Sequence, residues 1–300
     1  MTNASSATQA RSSTTSKPSA TAIGVIAVML WSCLALLTTL TEGIPPFQLL
    51  AMSFAVAFLA SVLVLGRQGA AGFRAWRQPI GVWLVGFTGI FAYHALYFFA
   101  LKAAPAAEAS LIAYLWPLLI VLLSAVLAGS RLRWRQVLGA LLGLAGSAFI
   151  LLQREQGATA AMPMAGYLAA LGCALVWSTY SVVNRRFSDV PSSIVGGICG
   201  LVALAGLACH LLFEASVIPD PTQWAAIAAL GLGPVGLAFF AWDHATKHGS
   251  LPMLGALSYL APLLSTLLLV AIGRSHASPL LILPALVIIA GAVLATARSR

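Results

Sequence analysis

The sequence predicts an all-α integral membrane protein, with ten transmembrane helices arranged as two inverted five-helix repeats. Three observations predict it: a scarcity of charge, ten apolar runs of membrane-spanning length, and a register in which the second half of the chain repeats the first. Of 300 residues, 16 are Lys or Arg and 7 are Asp or Glu, 8% in all, against roughly a quarter in an ordinary soluble chain. That is too few to cover a water-facing surface. Hydrophobic residues make up 60% and mean hydropathy is +0.96, which excludes a disordered chain, a soluble enzyme domain and a disulfide-stapled secreted module. Most of the chain is therefore solvated by lipid. The formal net charge of +9 would ordinarily raise nucleic acid as a partner. Here the basic residues stand in twos and threes between apolar runs, the pattern of cytoplasmic loops, so a bilayer is the expected partner and nucleic acid is not.

Residues 1–18 are rich in Ser, Thr and Ala, lack periodicity and end at Pro18, which predicts a disordered cytoplasmic tail. The first apolar run is longer than a signal-peptide core and no small-residue cleavage site follows it, so no cleaved leader is expected. The spans are predicted at 20–41, 46–66, 79–101, 106–128 and 134–153 in a first repeat covering 19–153. A second repeat covering 154–300 holds 164–185, 191–213, 222–245, 251–272 and 278–297. Short connections make sequence neighbours antiparallel neighbours. With the N-terminus inside, Arg11, Lys17, Arg67, Arg74, Arg77, Arg131, Arg133, Arg135, Arg185, Arg186, Lys247, Arg298 and Arg300 lie on the inner side, and only Lys102, Arg154 and Arg274 lie outside. The asymmetry predicts that both termini are cytoplasmic. Cys33, Cys173, Cys199 and Cys209 fall inside apolar runs without CxxC spacing and read as small buried hydrophobes. Neither a metal nor another cofactor is expected.

The repeat is legible residue by residue. Trp31-Ser32 matches Trp177-Ser178 and Pro45 matches Pro191 at an offset of 146. After a one-residue slip, Lys102 matches Lys247, Tyr114-Leu115 matches Tyr259-Leu260, Pro117-Leu118-Leu119 matches Pro262-Leu263-Leu264, and Ala145-Gly146 matches Ala290-Gly291, at an offset of 145. An odd number of spans per repeat makes the second copy enter the membrane from the opposite side. Inverted repeats of this kind recur in secondary transporters, where two half-units exchange between outward-open and inward-open packings.

The five-plus-five plan, the Trp-Ser pairs of spans 1 and 6, and the two Tyr-Leu-x-Pro-Leu blocks at 114–118 and 259–263 resemble the drug/metabolite transporter superfamily, in its EamA branch. The aromatic stretch from Tyr93 to Leu118 is most similar to bacterial exporters of aromatic amino acids within it. The resemblance covers about residues 20–297. It implies export of small metabolites by alternating access. Small multidrug members of that superfamily use a membrane-embedded Glu in span 1. This span 1 has no carboxylate, so their proton coupling is not carried over, and gradient-driven export is the simpler expectation.

Candidate substrate-binding residues come from the same spans. Tyr93 and Tyr97, at i and i+4, share a helix face with His94 at its edge, and His94 is the histidine nearest mid-membrane. Tyr114 and Trp116 follow in span 4. Trp31 and Trp177 are repeat mates, as are Tyr114 and Tyr259, with Ser258 beside the latter. Polar residues at mid-membrane are costly to bury and are functional candidates for that reason. An aromatic wall that stacks on a planar side chain while hydroxyl and imidazole groups bond its polar end suits an aromatic amino acid. The same residue types would also serve an interfacial belt or a packed core. Pro117 and Pro262 bend spans 4 and 9 at equivalent places and read as gates. Glu108 and Asp243 lie near span ends and read as hydrated. Amphiphilic organic cations would satisfy the same box by cation–π contact, and a non-transporting assembly subunit is the competing class, which the repeat argues against. An intramembrane enzyme lacks its residues, since the chain has no HExxH or GxSxG and no pair of mid-membrane aspartates.

Overall fold

A computed structural model describes residues 17–129, 131–152, 163–273 and 279–297. The tail up to residue 16, the 153/154 repeat boundary, Glu155, His276 and the charges counted at Arg11, Arg154, Arg274, Arg298 and Arg300 lie outside the described residues. Lys17 and Pro18 open the first helix. Among the described residues all regular structure is helical, as a hydrocarbon solvent demands of a chain that must satisfy its backbone groups internally.

Among the described residues, ten helices are long and apolar enough to cross a membrane. Spans 1–5 are Ala20–Thr39, Pro46–Gly66, Ile80–Ala103, Glu108–Leu127 and Trp134–Leu152; spans 6–10 are Met164–Phe187, Ile194–Phe213, Pro221–His248, Leu251–Ala271 and Pro279–Thr296. The chain is a multi-pass membrane protein, and each boundary falls within three residues of its predicted position. Starts are set by local chemistry. Pro46 and Pro221 occupy the first turn, where no amide donor is needed. Asp220 and Gln223 close a reciprocal capping box at 2.9 Å in both directions. Large apolar side chains point outward, Leu63 and Val126 being 69% and 79% exposed; on a soluble protein such a surface would aggregate, and here it meets lipid.

Packing joins the two halves. Span 2 lies on span 7, span 5 on span 10 and span 4 on span 9, while span 3 lies on span 6 and span 1 on span 8. Exchanging each span with the one five further along maps this set onto itself. Spans 5 and 10 approach through small residues. A Cβ on Gly139 would come within 2.5 Å of the Gly291 carbonyl oxygen, and one on Gly143 within 2.6 Å of the Tyr259 side chain. Without a hydrophobic drive between helices in lipid, this close backbone approach supplies the dispersion contact.

Gly139→Val is expected to force spans 5 and 10 apart, cost about 1–3 kcal/mol, and lower the temperature at which the detergent-solubilised protein loses its monodisperse peak. Gly81→Ala, where a Cβ meets nothing within 4 Å, serves as the matched control and is not expected to lower it.

Candidate functional site

Four spans are interrupted, and the interruptions surround one place. Span 1 breaks at Cys33, between helical segments Lys17–Ser32 and Leu34–Thr39. Span 4 breaks at Tyr114 and Leu115, so Pro117 opens the second segment, Trp116–Ala128, rather than bending a continuous helix. Span 9 breaks at Tyr259, three residues before Pro262. Span 8 contains a π-helical turn at Gly233–Leu237, a form concentrated at functional sites. Span 3, its counterpart in the first half, runs unbroken from Ile80 to Ala103. In the repeat register Gly89 stands where span 8 has Pro234, and proline forces the difference.

Freed backbone groups find side-chain partners. The Trp31 indole N–H donates to the Pro234 carbonyl at 3.1 Å. The Tyr259 hydroxyl donates to the Tyr114 carbonyl and accepts from the Leu118 amide, both at 3.2 Å. Two residues singled out as cavity wall thus also repair helix breaks.

Trp31 is the hub of an aromatic cluster. Its ring centroid lies 5.1 Å from Trp242, 5.7 Å from Trp177, 6.0 Å from Phe239 and 6.3 Å from Trp116. Most of these pairs are edge-to-face, the arrangement aromatic quadrupoles favour, while Trp177 stacks on Trp242 at 6.2 Å. Tyr93 meets Trp177 at 5.3 Å and stacks on Tyr97 at 6.0 Å, as their i, i+4 spacing requires. His94 sits among Phe54, Phe98 and Phe239 at 5.4–6.3 Å. Six spans contribute to the cluster.

Of the predicted residues, Trp31, Tyr93, His94, Tyr97, Trp116 and Trp177 share this cluster, and Tyr114 borders it, 6.4 Å from Trp116. Ser258 and Tyr259 lie outside the ring contacts of Trp31: Tyr259 packs with Val121, Ala140, Ala256 and Ala295 behind Tyr114, 6.5 Å ring to ring, and the buried Ser258 turns its hydroxyl back onto the Leu254 carbonyl at 2.7 Å. Sequence reasoning missed Phe239 and Trp242. The repeat register held the signal, because they stand 145 residues after His94 and Tyr97.

The polar groups of the cluster are few and oriented. His94 Nδ1 lies 2.8 Å from the Ile90 carbonyl, an acceptor only, so Nδ1 carries the proton and neutral Nε2 presents a lone pair. Among the described residues Nε2 has no partner, and the same holds for the indole N–H groups of Trp116 and Trp177; none of the three atoms is sealed from solvent. Tyr97 and Ser110 hydroxyls pair at 3.0 Å. Tyr93, His94, Tyr97 and Tyr114 are half-buried, whereas Trp242 is wholly buried.

Below Trp242 the bundle is sealed. Asp243 carries Lys247 at 2.8 Å and Asn184 at 2.9 Å, and Lys247 also donates to the Val190 carbonyl at 3.0 Å. The expectation that Asp243 is a hydrated helix-end carboxylate is corrected: it is 2% exposed. Its i, i+4 lysine makes burial tolerable, and that spacing was readable in the sequence. Arg185 reaches the Gly249 carbonyl at 2.8 Å, and the Ser250 amide donates to Thr21 at 3.0 Å. At the opposite end Glu214 accepts from the Phe47 and Gln48 amides and from His210, at 3.0–3.1 Å. There, Glu108 accepts a hydrogen bond from Tyr167. Among the described residues no group of His, Cys, Asp and Glu could hold a metal ion.

The EamA-like transporter family matches residues 19–152 and 164–297. The chain is 49% identical over 286 residues to the aromatic amino acid exporter YddG of Ancylobacter novellus, covering 95% of this chain and 99% of that one. It is 27% identical over 267 residues to the Escherichia coli protein of the same name, covering 83% and 87%. A probable terminal-alkyne amino-acid exporter of Streptantibioticus cattleyicolor is 28% identical over 69% of each chain. A solved crystal structure, 48% identical, superposes with a TM-score of 0.89 over 94% of this chain and 97% of that one.

Lys247→Met is expected to strand Asp243 in the sealed end at a cost of about 3–5 kcal/mol, read as a lower thermal midpoint in detergent. Adding Asp243→Asn is expected to recover most of that loss; a double variant as unstable as the two single losses combined would show that the pair is not coupled.

Proposed function

The chain belongs to the EamA-like transporter family, and from that premise we propose that it exports aromatic and other neutral amino acids from a bacterial cell, across the inner membrane, with both termini cytoplasmic. It is a transporter and not an enzyme. The names carried by its relatives support amino acid export. The observation that carries the substrate reading is the complement of groups in the aromatic cluster. His94 Nε2 offers an acceptor to an α-ammonium group. The Trp116 and Trp177 N–H groups offer two donors to a carboxylate, and the surrounding ring faces hold an apolar or planar side chain. A zwitterion with a ring uses all three. An amphiphilic organic cation leaves both donors idle, and the cluster presents no carboxylate to it. Sugar phosphates fit poorly, since Lys247 is consumed by Asp243.

Alternating access is the transport mode this reading adopts. Half-buried tyrosines lead from the outer end of span 3 to the cluster, and the inner end is closed by Trp242 and the Asp243–Lys247–Asn184 network. That asymmetry supports an outward-open cavity whose floor is the indole cluster. Opening on the other side requires the inner network to part and the outer clasp at Glu214 or Tyr97 to tighten. The breaks before Pro117 and Pro262 give spans 4 and 9 two jointed segments each, and their placement in both halves supports gating by these joints.

Counterflow in proteoliposomes with labelled phenylalanine, tyrosine, tryptophan, threonine and methionine tests the reading. Exchange of at least the aromatic three is expected, with tetraphenylphosphonium a poor competitor; indifference to all five would overturn it. His94→Ala is expected to weaken apparent affinity about tenfold or more, and Trp177→Phe, which keeps a ring but removes the donor, to weaken it for every amino acid alike. Pro117→Ala and Pro262→Ala are expected to slow turnover more than they weaken binding, measured as separate changes in maximal rate and half-saturation.

A further inference from the structure

Spans 3 and 6 do not close against each other along their whole length. Between them lies a cleft of about 380 Å³, lined on span 3 by Val85, Thr88 and Ala92 and on span 6 by Leu175, Thr179 and Val183. Thr88, Leu175 and Thr179 are exposed at its mouth, on a flank that faces the bilayer rather than the loops. The Thr88 hydroxyl is turned back onto the Leu84 carbonyl at 2.6 Å, so the surface it shows the cleft is largely methyl. The lining is mostly apolar, with the Thr179 hydroxyl at the mouth, and so suits a flexible hydrocarbon chain better than a polar solute.

One end of this cleft is basic. The last turn of span 6 is a 3₁₀ turn over Asn184–Phe187 that packs against span 3. In such a turn residues i and i+3 eclipse, which places Arg186 directly beyond Val183. Arg186 is exposed and has no hydrogen-bond or ion-pair partner among the described residues, in contrast to Arg185, which is spent on the Gly249 carbonyl. Asp189, the acid nearest in sequence, makes no ion pair with it among the described residues. Arg77, also exposed, stands just before Pro79 and the start of span 3 at the same end. Arg74 precedes it.

We propose that this cleft is a binding site for an anionic phospholipid of the cytoplasmic leaflet, one acyl chain lying between spans 3 and 6 and the phosphate held by Arg186 and Arg77. The proposal rests on the cytoplasmic orientation of these arginines adopted above, and not on the identity of the transported solute. Hydrocarbon length and anionic charge are recognised by different parts of the site, so they separate under mutation. The far wall of the cleft includes Tyr180, whose ring is 5.3 Å from Trp177 of the aromatic cluster, so a seated chain packs one residue away from the transport site.

Native mass spectrometry of the full chain, purified in mild detergent and titrated with phosphatidylglycerol or phosphatidylcholine, tests this. Wild type is expected to retain phosphatidylglycerol in preference. Arg186→Gln is expected to cut that preference about fivefold and Arg186→Lys to keep it, since a point charge suffices. Thr179→Trp fills the cleft and is expected to abolish tight retention of both lipids while the protein elutes as a folded monodisperse species. Inorganic phosphate, which has no chain, is expected neither to bind nor to compete. An unchanged phosphatidylglycerol preference in Arg186→Gln, undiminished lipid retention in Thr179→Trp, or displacement of lipid by inorganic phosphate would each overturn the site. Amino acid counterflow, assayed on the same preparations, stands or falls separately.

Discussion

In hydrocarbon an unpaired backbone carbonyl has no water to turn to, and two departures of this bundle from regular helix, in spans 4 and 8, answer to that constraint. The Pro234 carbonyl, within the π-helical turn, accepts from the Trp31 indole. The Tyr114 carbonyl and the Leu118 amide, released by the break in span 4, are both taken by one hydroxyl, that of Tyr259. In each case the repairing side chain comes from the other half of the molecule. Local irregularity therefore does not loosen the fold; it ties the halves together, and each tie runs through an aromatic residue at or beside the candidate site.

The same economy governs charge. Three buried polar side chains, Asp243, Lys247 and Asn184, form a closed set in which each charge has a partner of opposite sign or a backbone carbonyl. The aromatic cluster above it does the reverse, leaving an imidazole lone pair and two indole donors without partners among the described residues. A sealed network consumes its hydrogen-bonding capacity and stays shut at moderate cost. An unfilled one keeps its capacity for something that arrives from outside. That contrast between adjacent layers of one bundle, and not the abundance of aromatic residues, is what carries the proposal of a solute site in the upper layer.

Spans and repeat were legible because lipid imposes length and apolarity on every crossing, and because matched tryptophans and prolines recur in both halves at an offset of 146 and, after a one-residue slip, of 145. The latter offset pointed to Phe239 and Trp242 from His94 and Tyr97, a step that residue-type reasoning alone passed over, since phenylalanine and tryptophan look unremarkable in an apolar run. Other features were not written locally. Tyr259 resembles a wall residue by its repeat mate, yet its neighbours are small residues of spans 4, 5, 9 and 10, admitted by Gly143. Asp243 looked like a helix-end acid because the span was expected to stop at 245; the helix continues to His248 because Lys247 neutralises it within the bundle. Which helix breaks and which stays whole depends on which carbonyl finds a donor across the interface, a tertiary fact with no sequence signature of its own.

Gly89 and Pro234 occupy equivalent positions in the two halves, one inside a straight helix and the other inside a π-helical turn. A molecule whose halves were interchangeable would spend equal time facing either compartment. Here span 8 is pinned to span 1 through a proline carbonyl, while among the described residues Trp177, the repeat mate of Trp31, makes no such bond to the Gly89 carbonyl, so the two halves are not interchangeable. For a carrier that works by the exchange of postures proposed above, this inequality acts like a spring-loaded turnstile: the carrier idles in one posture, and the solute's binding energy supplies the difference to reach the other, which sets how steeply flux in the two directions can diverge in kinetic terms without altering the equilibrium it finally serves.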